Sequence, residues 1–268
     1  MRIFTFLLGI SCPFVISIAG DVNNKTSFQK RTYHTERISK NVPVIDGNLT
    51  DECWDLGEWS LNFVQQKPVE GGFPSQNTQM KVLYDDENIY VAIRAFEKEM
   101  DKLHRFKGRK DEFSGDIVGI CFDSYFDHRT GFEFNLTAGG AQIDLIMTNE
   151  GIDMNWNPVW YGSVGMEDSA WVAEMKIPLS QLRFSSNKEQ VWGLHAWRWI
   201  NRNQEEVQWN LIPRQNSGVI YNFGELHGIE DIPNRRNKEI SPYISAKSLR
   251  NKPEEGNPFE TGKKVLLV

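Results

Sequence analysis

Met80-Lys81-Val82-Leu83-Tyr84-Asp85-Asp86-Glu87-Asn88-Ile89-Tyr90-Val91-Ala92-Ile93-Arg94-Ala95 is the stretch that decides the fold. Apolar residues recur at every second position, Met80, Val82 and Tyr84, then Ile89, Val91, Ile93 and Ala95. Alternate side chains of an extended chain point to opposite faces, so this period predicts strands with one face in a core. The cluster Asp85 to Asn88 between the runs is turn chemistry. The stretch therefore predicts two antiparallel strands joined by a tight turn.

The same period returns at Phe132, Phe134 and Leu136, at Ile143, Leu145 and Met147, and at Trp171, Ala173, Met175 and Ile177, with turn clusters at Asp127 to Gly131 and Asn187 to Gln190. Helical signals are confined to Thr50 to Asp55 and Pro178 to Leu182, short enough to be connectors. Asp116 to Asp123 and Val191 to Ile200 are apolar on both alternating faces, as in central strands covered on both sides. The fold class is all-β: an antiparallel two-sheet β-sandwich, jelly-roll-like, with short connecting helical turns. Trp171 and Trp192 follow the alternation of their strands and are expected in its core.

The 268 residues include 16 Phe, 9 Trp and 7 Tyr, enough apolar surface for one large core. One main domain is expected over residues 32–232, since sandwiches often exceed the usual domain length. The net charge of -6, with both signs interspersed, offers no positive field to a phosphate backbone and argues against nucleic acid as a partner.

Residues 1–19 read as a signal peptide: Arg2, the apolar runs Ile3 to Ile10 and Phe14 to Ile18, then Ser17-Ile18-Ala19 as a small-x-small cleavage site. That predicts export to the periplasm, the outer membrane or the extracellular space. Residues 20–31 are polar and aperiodic, a flexible lead. Residues 233–268 change character, basic and polar around Arg235, Arg236 and Lys238, then one extended run from Glu239 to Leu249. Export would permit a disulfide between Cys53 and Cys121, but Cys121 lies in an apolar run and Cys53 precedes Trp54, so both also read as small buried hydrophobes.

The run Val44-Ile45-Asp46-Gly47-Asn48-Leu49-Thr50-Asp51-Glu52-Cys53-Trp54, followed by Lys81 to Val91, resembles the opening of the family 9 carbohydrate-binding modules. Asp116 to Asp123, Trp171 to Pro178 and Phe223-Gly224-Glu225-Leu226 continue the resemblance in order, over residues 40 to 230. A nearer likeness, through Ser114-Gly115-Asp116, Arg129 to Phe134, Arg198 and Arg202-Asn203, is to the amino-terminal domain of large bacterial outer-membrane proteins. In those proteins such a module precedes a carboxy-terminal β-barrel of unassigned function. On that likeness residues 233–268 are a linker and the start of a truncated barrel domain, entered at Ile240 to Ala246, and the barrel is a partner of the module.

In the family two aromatics sandwich a terminal sugar, and the resemblance puts Phe113 on the first of them and Asn135 on an asparagine that bonds hydroxyls. Gly119, Glu133 and Trp197 depart from the family's glutamate, arginine and glutamine. The loop Arg214 to Asn222 offers Tyr221 near the place of the second aromatic. From the residues themselves, Glu133, Asn135 and Thr137 share the face opposite Phe132, Phe134 and Leu136, read as an accessible polar face. Val191, Gly193, His195, Trp197 and Trp199 share one face of their strand, so Trp197 is placed to line a groove with Asn135, with room beside Gly119. Sugars present a C–H face to stack and hydroxyls to bond, which makes Phe113, Glu133, Asn135 and Trp197 the candidate carbohydrate-binding residues. The alternative for Trp197 and Trp199 is a place in the core, with Glu133 a solvated strand charge.

A glycosidase needs two carboxyls across one cleft. Asp116 and Asp123 are an odd number of positions apart and face opposite ways on a regular strand. Glu133 with Asp144 would need a fortunate register. The five histidines are scattered, and no catalytic signature occurs. The leading reading is a non-enzymatic, exported glycan-binding domain of a glycan-handling outer-membrane protein. The alternatives are a structural domain docking on its own barrel or a partner, and a module accompanying a glycoside hydrolase. No cofactor is implied beyond structural calcium, for which the acidic turn Asp85, Asp86 and Glu87 is the candidate.

Overall fold

The computed structural model describes residues 30–215 and 218–233, together with the backbone of 246–250 and 263–267. The signal peptide, nearly all of the lead and most of the segment after residue 233, including Ile240 to Ser245, lie outside the described residues. The strands are β1 Thr32–His34, β2 Glu36–Arg37, β3 Val64–Lys67, β4 Thr78–Tyr84, β5 Asn88–Phe96, β6 Ile117–Asp123, β7 Thr130–Thr137 and β8 Gln142–Thr148. They continue as β9 Gly151–Asp153, β10 Tyr161–Glu167, β11 Ala170–Pro178, β12 Glu189–Ile200, β13 Glu205–Gln208 and β14 Gly224–Glu230. β15 Ala246–Arg250 and β16 Lys263–Leu267 form a separate antiparallel pair.

A nine-stranded sheet runs β1-β14-β12-β6-β7-β8-β9, with β13 and then β3 added beside the far half of β12. A five-stranded sheet runs β10-β11-β5-β4-β2. The alternating apolar sets meet between them: Met80, Val82, Val91, Ile93, Trp171 and Met175 from one sheet pack on Val118, Ile120, Phe134, Leu136, Trp192 and Leu194 from the other. The helical connectors are single 3-10 turns, Glu52–Asp55 and Leu179–Gln181 at the two expected places.

Two pairings depart from an all-antiparallel reading, because β1 pairs β14 and β2 pairs β4 in parallel. Both belong to one stretch that crosses between the sheets. Between them Thr35 donates its N–H to His227 O (2.9 Å) and its hydroxyl to Val82 O (2.7 Å). One residue thus ties both sheets along this edge.

The segment Val44 to Trp54 lies over the outer face of the five-stranded sheet, where Cys53 and Trp54 pack on Leu83, Tyr90 and Ala92. Buried Glu174 holds it there, accepting from Gly47 N (2.7 Å), Asp46 N (3.1 Å) and Trp54 Nε1 (2.9 Å). Gly47 is required by its φ of +93° and by its approach to Val164, 2.6 Å from where a Cβ would sit. Cys121 is on the outer face of the other sheet, clustered with Ile212, Ile220 and Phe223. With two sheets between them the cysteines are both free, so the permitted disulfide does not form. In the acidic turn, Asp85 Oδ1 accepts from Glu87 N and Asn88 N (both 2.7 Å), Oδ2 accepts from Tyr90 (2.8 Å), and Asp86 pairs with Arg37.

Candidate functional site

Register places the candidate residues on the outer face of the nine-stranded sheet. Trp197 of β12 stands opposite Gly119 of β6, Gly119 opposite Asn135 of β7, and Asn135 opposite Ile143 of β8. The neighbouring row is His195, Cys121, Glu133 and Leu145. Trp197, Asn135 and Glu133 are thus brought together. Asp144 instead lies opposite Phe134, on the core side, which separates it from Glu133 and removes that carboxyl pair. Trp160 Nε1 (3.0 Å) and Lys110 Nζ (2.9 Å) take up the Asp144 carboxylate.

The polar face is not accessible, which corrects the expectation from alternation: Glu133, Asn135 and Thr137 are all buried. Trp197 lies half-buried over them and donates its indole N–H to Glu133 Oε1 at 3.1 Å. The room beside Gly119 is filled, since a Cβ there would fall 1.9 Å from Asn135 Oδ1 and 2.4 Å from Trp197 Nε1. Glycine lets the indole and the amide close over the strand. Glu133 therefore serves Trp197, and Asn135 Nδ2 makes a long bond to Ile143 O (3.4 Å) while its Oδ1 has no partner among the described residues. Further along, the segment after β13 covers the sheet, with Phe223 stacked on His195 at 5.2 Å.

Phe113 stands apart, 50% exposed, in the segment before β6. That segment is tied to the start of β8 by Asp111 N to Gln142 O, 2.9 Å. Tyr221, 61% exposed, lies 5.5 Å from His128 of the β6–β7 turn and shares a groove with Thr148 at the far end of β8. The seven residues of β8 span about 20 Å. Phe113 and Tyr221 therefore do not flank one slot.

The exposed aromatic surface of this face is made by Trp197 and Trp199, both half-buried on one side of β12, with Gln208 and Glu206 of β13 opposite them. Glu206 pairs with Lys67 (2.8 Å), and these two make a polar rim beside the indoles, while buried Gln208 donates Nε2 to Glu206 (2.7 Å) and accepts from Ile212 N (2.8 Å). Trp199 was legible with Trp197. Glu206 and Gln208 escaped notice, although Glu205, Val207 and Trp209 alternate with them; of these five only Glu206 is not buried.

The profile of the family described as carbohydrate family 9 binding domain-like matches residues 45–218. The chain belongs to this family. Its fold is similar to a family 9 carbohydrate-binding module from Caldicellulosiruptor kristjanssonii in complex with cellotriose (15% identity, TM-score 0.55, 79% of this chain and 100% of that one). The same module in complex with glucose gives 15% identity and a TM-score of 0.54 over the same coverage. A protein of Bacteroides uniformis described as carbohydrate-binding has 11% identity and a TM-score of 0.58, over 74% of this chain and 99% of that one. No curated protein matches the chain. At such identities the likeness to the solved structures is one of fold.

In this family 9-like domain two buried titratable groups face one another across Cys121. Burial pushes the Glu133 carboxyl up from 4.5 to about 7, against the hydrogen bonds of Asn135 and Trp197, and Glu206 adds to the rise. Burial pulls His195 down from 6.5 to about 4, against the charge of Glu206. A raised carboxyl means that the folded state holds a proton the unfolded chain has released, so this contribution falls as pH rises from 4.5 to 7. The depressed histidine acts in the opposite sense, and its contribution rises from pH 4 to 6.5. The two slopes oppose each other below pH 6.5. In urea unfolding across pH 4 to 8, Glu133→Gln is expected to be more stable than the parent above pH 7 by roughly 3 kcal/mol, with the difference vanishing near pH 4. A difference that does not vary with pH would show that Glu133 is ionised in the fold.

Proposed function

We propose that this chain is an exported carbohydrate-binding domain that seats a glycan on Trp197 and Trp199, and that it acts by binding rather than by catalysis. The observation that carries the reading is a half-buried indole pair on one strand face, bordered by the carboxylate of Glu206 and the ammonium of Lys67, in a member of a carbohydrate-binding family. Stacking on the indoles meets the C–H face of a sugar, and the rim meets its hydroxyls. Glu133 and Asn135 act from beneath as positioning residues that fix the tilt of Trp197, and Phe113 borders the same end of the sheet. The leader at residues 1–19 supports export. The likeness to the amino-terminal domains of outer-membrane proteins supports a place in the periplasm or at the outer membrane, beside a carboxy-terminal barrel.

The test is a glycan array followed by calorimetry on the full chain. Trp197→Ala and Trp199→Ala are each expected to weaken the best ligand at least tenfold, from the loss of stacking and of buried apolar area. Lys188→Ala on the exposed turn before β12 leaves it unchanged. Unchanged affinity in both tryptophan variants would place the site elsewhere. An array without ligands would favour a domain that docks on its own barrel or on a partner.

A further inference from the structure

The groove between Leu61–Val64 and Gly71–Gln79 has a volume of about 480 Å³ and is lined by no charged side chain. At its mouth Phe73 is 97% exposed, an aromatic ring with both faces free, next to exposed Leu61. The side-chain amides of Asn62, Asn77 and Gln79 also line it, and none has a hydrogen-bond partner among the described residues. A free aromatic face beside unpaired groups that both donate and accept fits a molecule with an apolar face and neutral hydroxyls. The absence of charge in the lining and the net charge of -6 disfavour an acidic ligand. A peptide added as a strand would need consecutive free edge residues. Along β4 that edge is closed at Met80, which bonds Ser60 through both its N–H and its C=O (3.0 and 2.8 Å).

One wall of the groove is linked to the indole platform by strand register. Val64 in its wall stands opposite Gln208, and Gln208 opposite Trp197, so the wall is two strand spacings from Trp197, about 10 Å. That separation exceeds a single sugar ring. We propose that this groove is a second carbohydrate subsite, in which Phe73, Asn62 and Gln79 receive the further units of a neutral oligosaccharide whose first unit lies on Trp197 and Trp199. The proposal rests on the glycan-binding reading and adds a preference for chain length to it.

The test is calorimetric titration of the full chain with cello-, xylo- and manno-oligosaccharide ladders, from the monosaccharide to the hexasaccharide. Phe73→Ala is expected to weaken the longer members about five- to tenfold and to leave the monosaccharide unchanged, with Gln79→Ala following the same pattern more weakly. Melting temperature is unaffected by Phe73→Ala because the ring is almost wholly in solvent, whereas Trp199→Ala weakens every length. If Phe73→Ala and Gln79→Ala bind all lengths as the parent does while Trp199→Ala weakens them, the second subsite is wrong and the platform stands. Equal weakening of every length by Phe73→Ala also overturns it, since the ring would then belong to the first site. A parent chain that binds no member of any ladder overturns the glycan reading for these sugars and this proposal with it.

Discussion

Trp171→Ala is expected to lower the free energy of unfolding by about 3–5 kcal/mol, the usual cost of removing a large aromatic from a packed interior. Trp171 is fully buried on β11, between Ala95 of β5 and Met166 of β10 in the register of the five-stranded sheet. Its removal leaves a cavity in the core between the sheets that flanking strands, fixed by their ladders, cannot close. Trp192→Ala should cost a similar amount, since Trp192 is equally buried and packs against Phe122 and Phe184. Phenylalanine separates the two positions. The indole N–H of Trp171 has no partner among the described residues, whereas that of Trp192 reaches Gln190 Oε1 at 3.3 Å. Trp171→Phe therefore forfeits volume alone, while Trp192→Phe also leaves Gln190 one donor short, a further loss of about 1 kcal/mol. Urea midpoints for the four variants check this, and an alanine variant with the parent's midpoint would mean that the strand faces are wrongly assigned.

The burial of both tryptophans was legible because period two states which side chains share a face. Strand centrality was legible for the same reason: Asp116 to Asp123 and Val191 to Ile200 are apolar on both sides and became β6 and β12 at the middle of the larger sheet. Alternation does not state what covers a face. Glu133, Asn135 and Thr137 were read as accessible because they are polar, yet Trp197 from a strand over sixty residues away closes over them through the gap at Gly119. The short polar strands β3 and β13, each four residues long, carried too little apolar period to be seen. With them went Glu206, Gln208 and the groove beside Val64. The parallel edge strands escaped for a related reason, since two- and three-residue strands owe their pairing to Thr35 and not to any pattern of their own.

Arg198 shows how much a binary pattern can leave out. It sits at an inward position of β12 opposite Val118 and is fully buried in the core. Its Nη1 donates to Phe96 O (2.9 Å), Asn77 O (3.1 Å) and more weakly to Thr78 Oγ1 (3.4 Å), tying β12 of one sheet to the ends of β4 and β5 in the other. Burial lowers its pKa to about 10, opposed by Asp116, Glu97 and Glu205, so it remains charged at neutral pH. Glu97 is held from the other side by Arg202, whose two guanidinium nitrogens reach the two carboxylate oxygens at 2.6 and 2.7 Å. Asp116 has no such second cation bonded to it, and burial raises its carboxyl despite Arg198.

Arg198→Met is expected to lower stability by about 3–5 kcal/mol, because it leaves Asp116 buried without its counter-charge and the carbonyls of Asn77 and Phe96 without donors. Arg198→Lys keeps the charge, but its shorter stem and compact ammonium end short of the acceptors that Nη1 reaches, and it should cost about 1–3 kcal/mol. The double variant Arg198→Met, Asp116→Asn removes the uncompensated carboxylate. It should therefore recover part of the loss, with a coupling above about 0.5 kcal/mol in a double-mutant cycle. Additive losses in that cycle would show that Arg198 acts through the two carbonyls alone, and a fully stable Arg198→Met would show that the inter-sheet tie contributes nothing. Arg198 lies on β12 immediately between Trp197 and Trp199, with its side chain on the opposite face. A loss of anchoring there should also loosen the indole platform, so Arg198→Lys, still folded, is expected to weaken glycan binding more than its melting temperature alone would suggest.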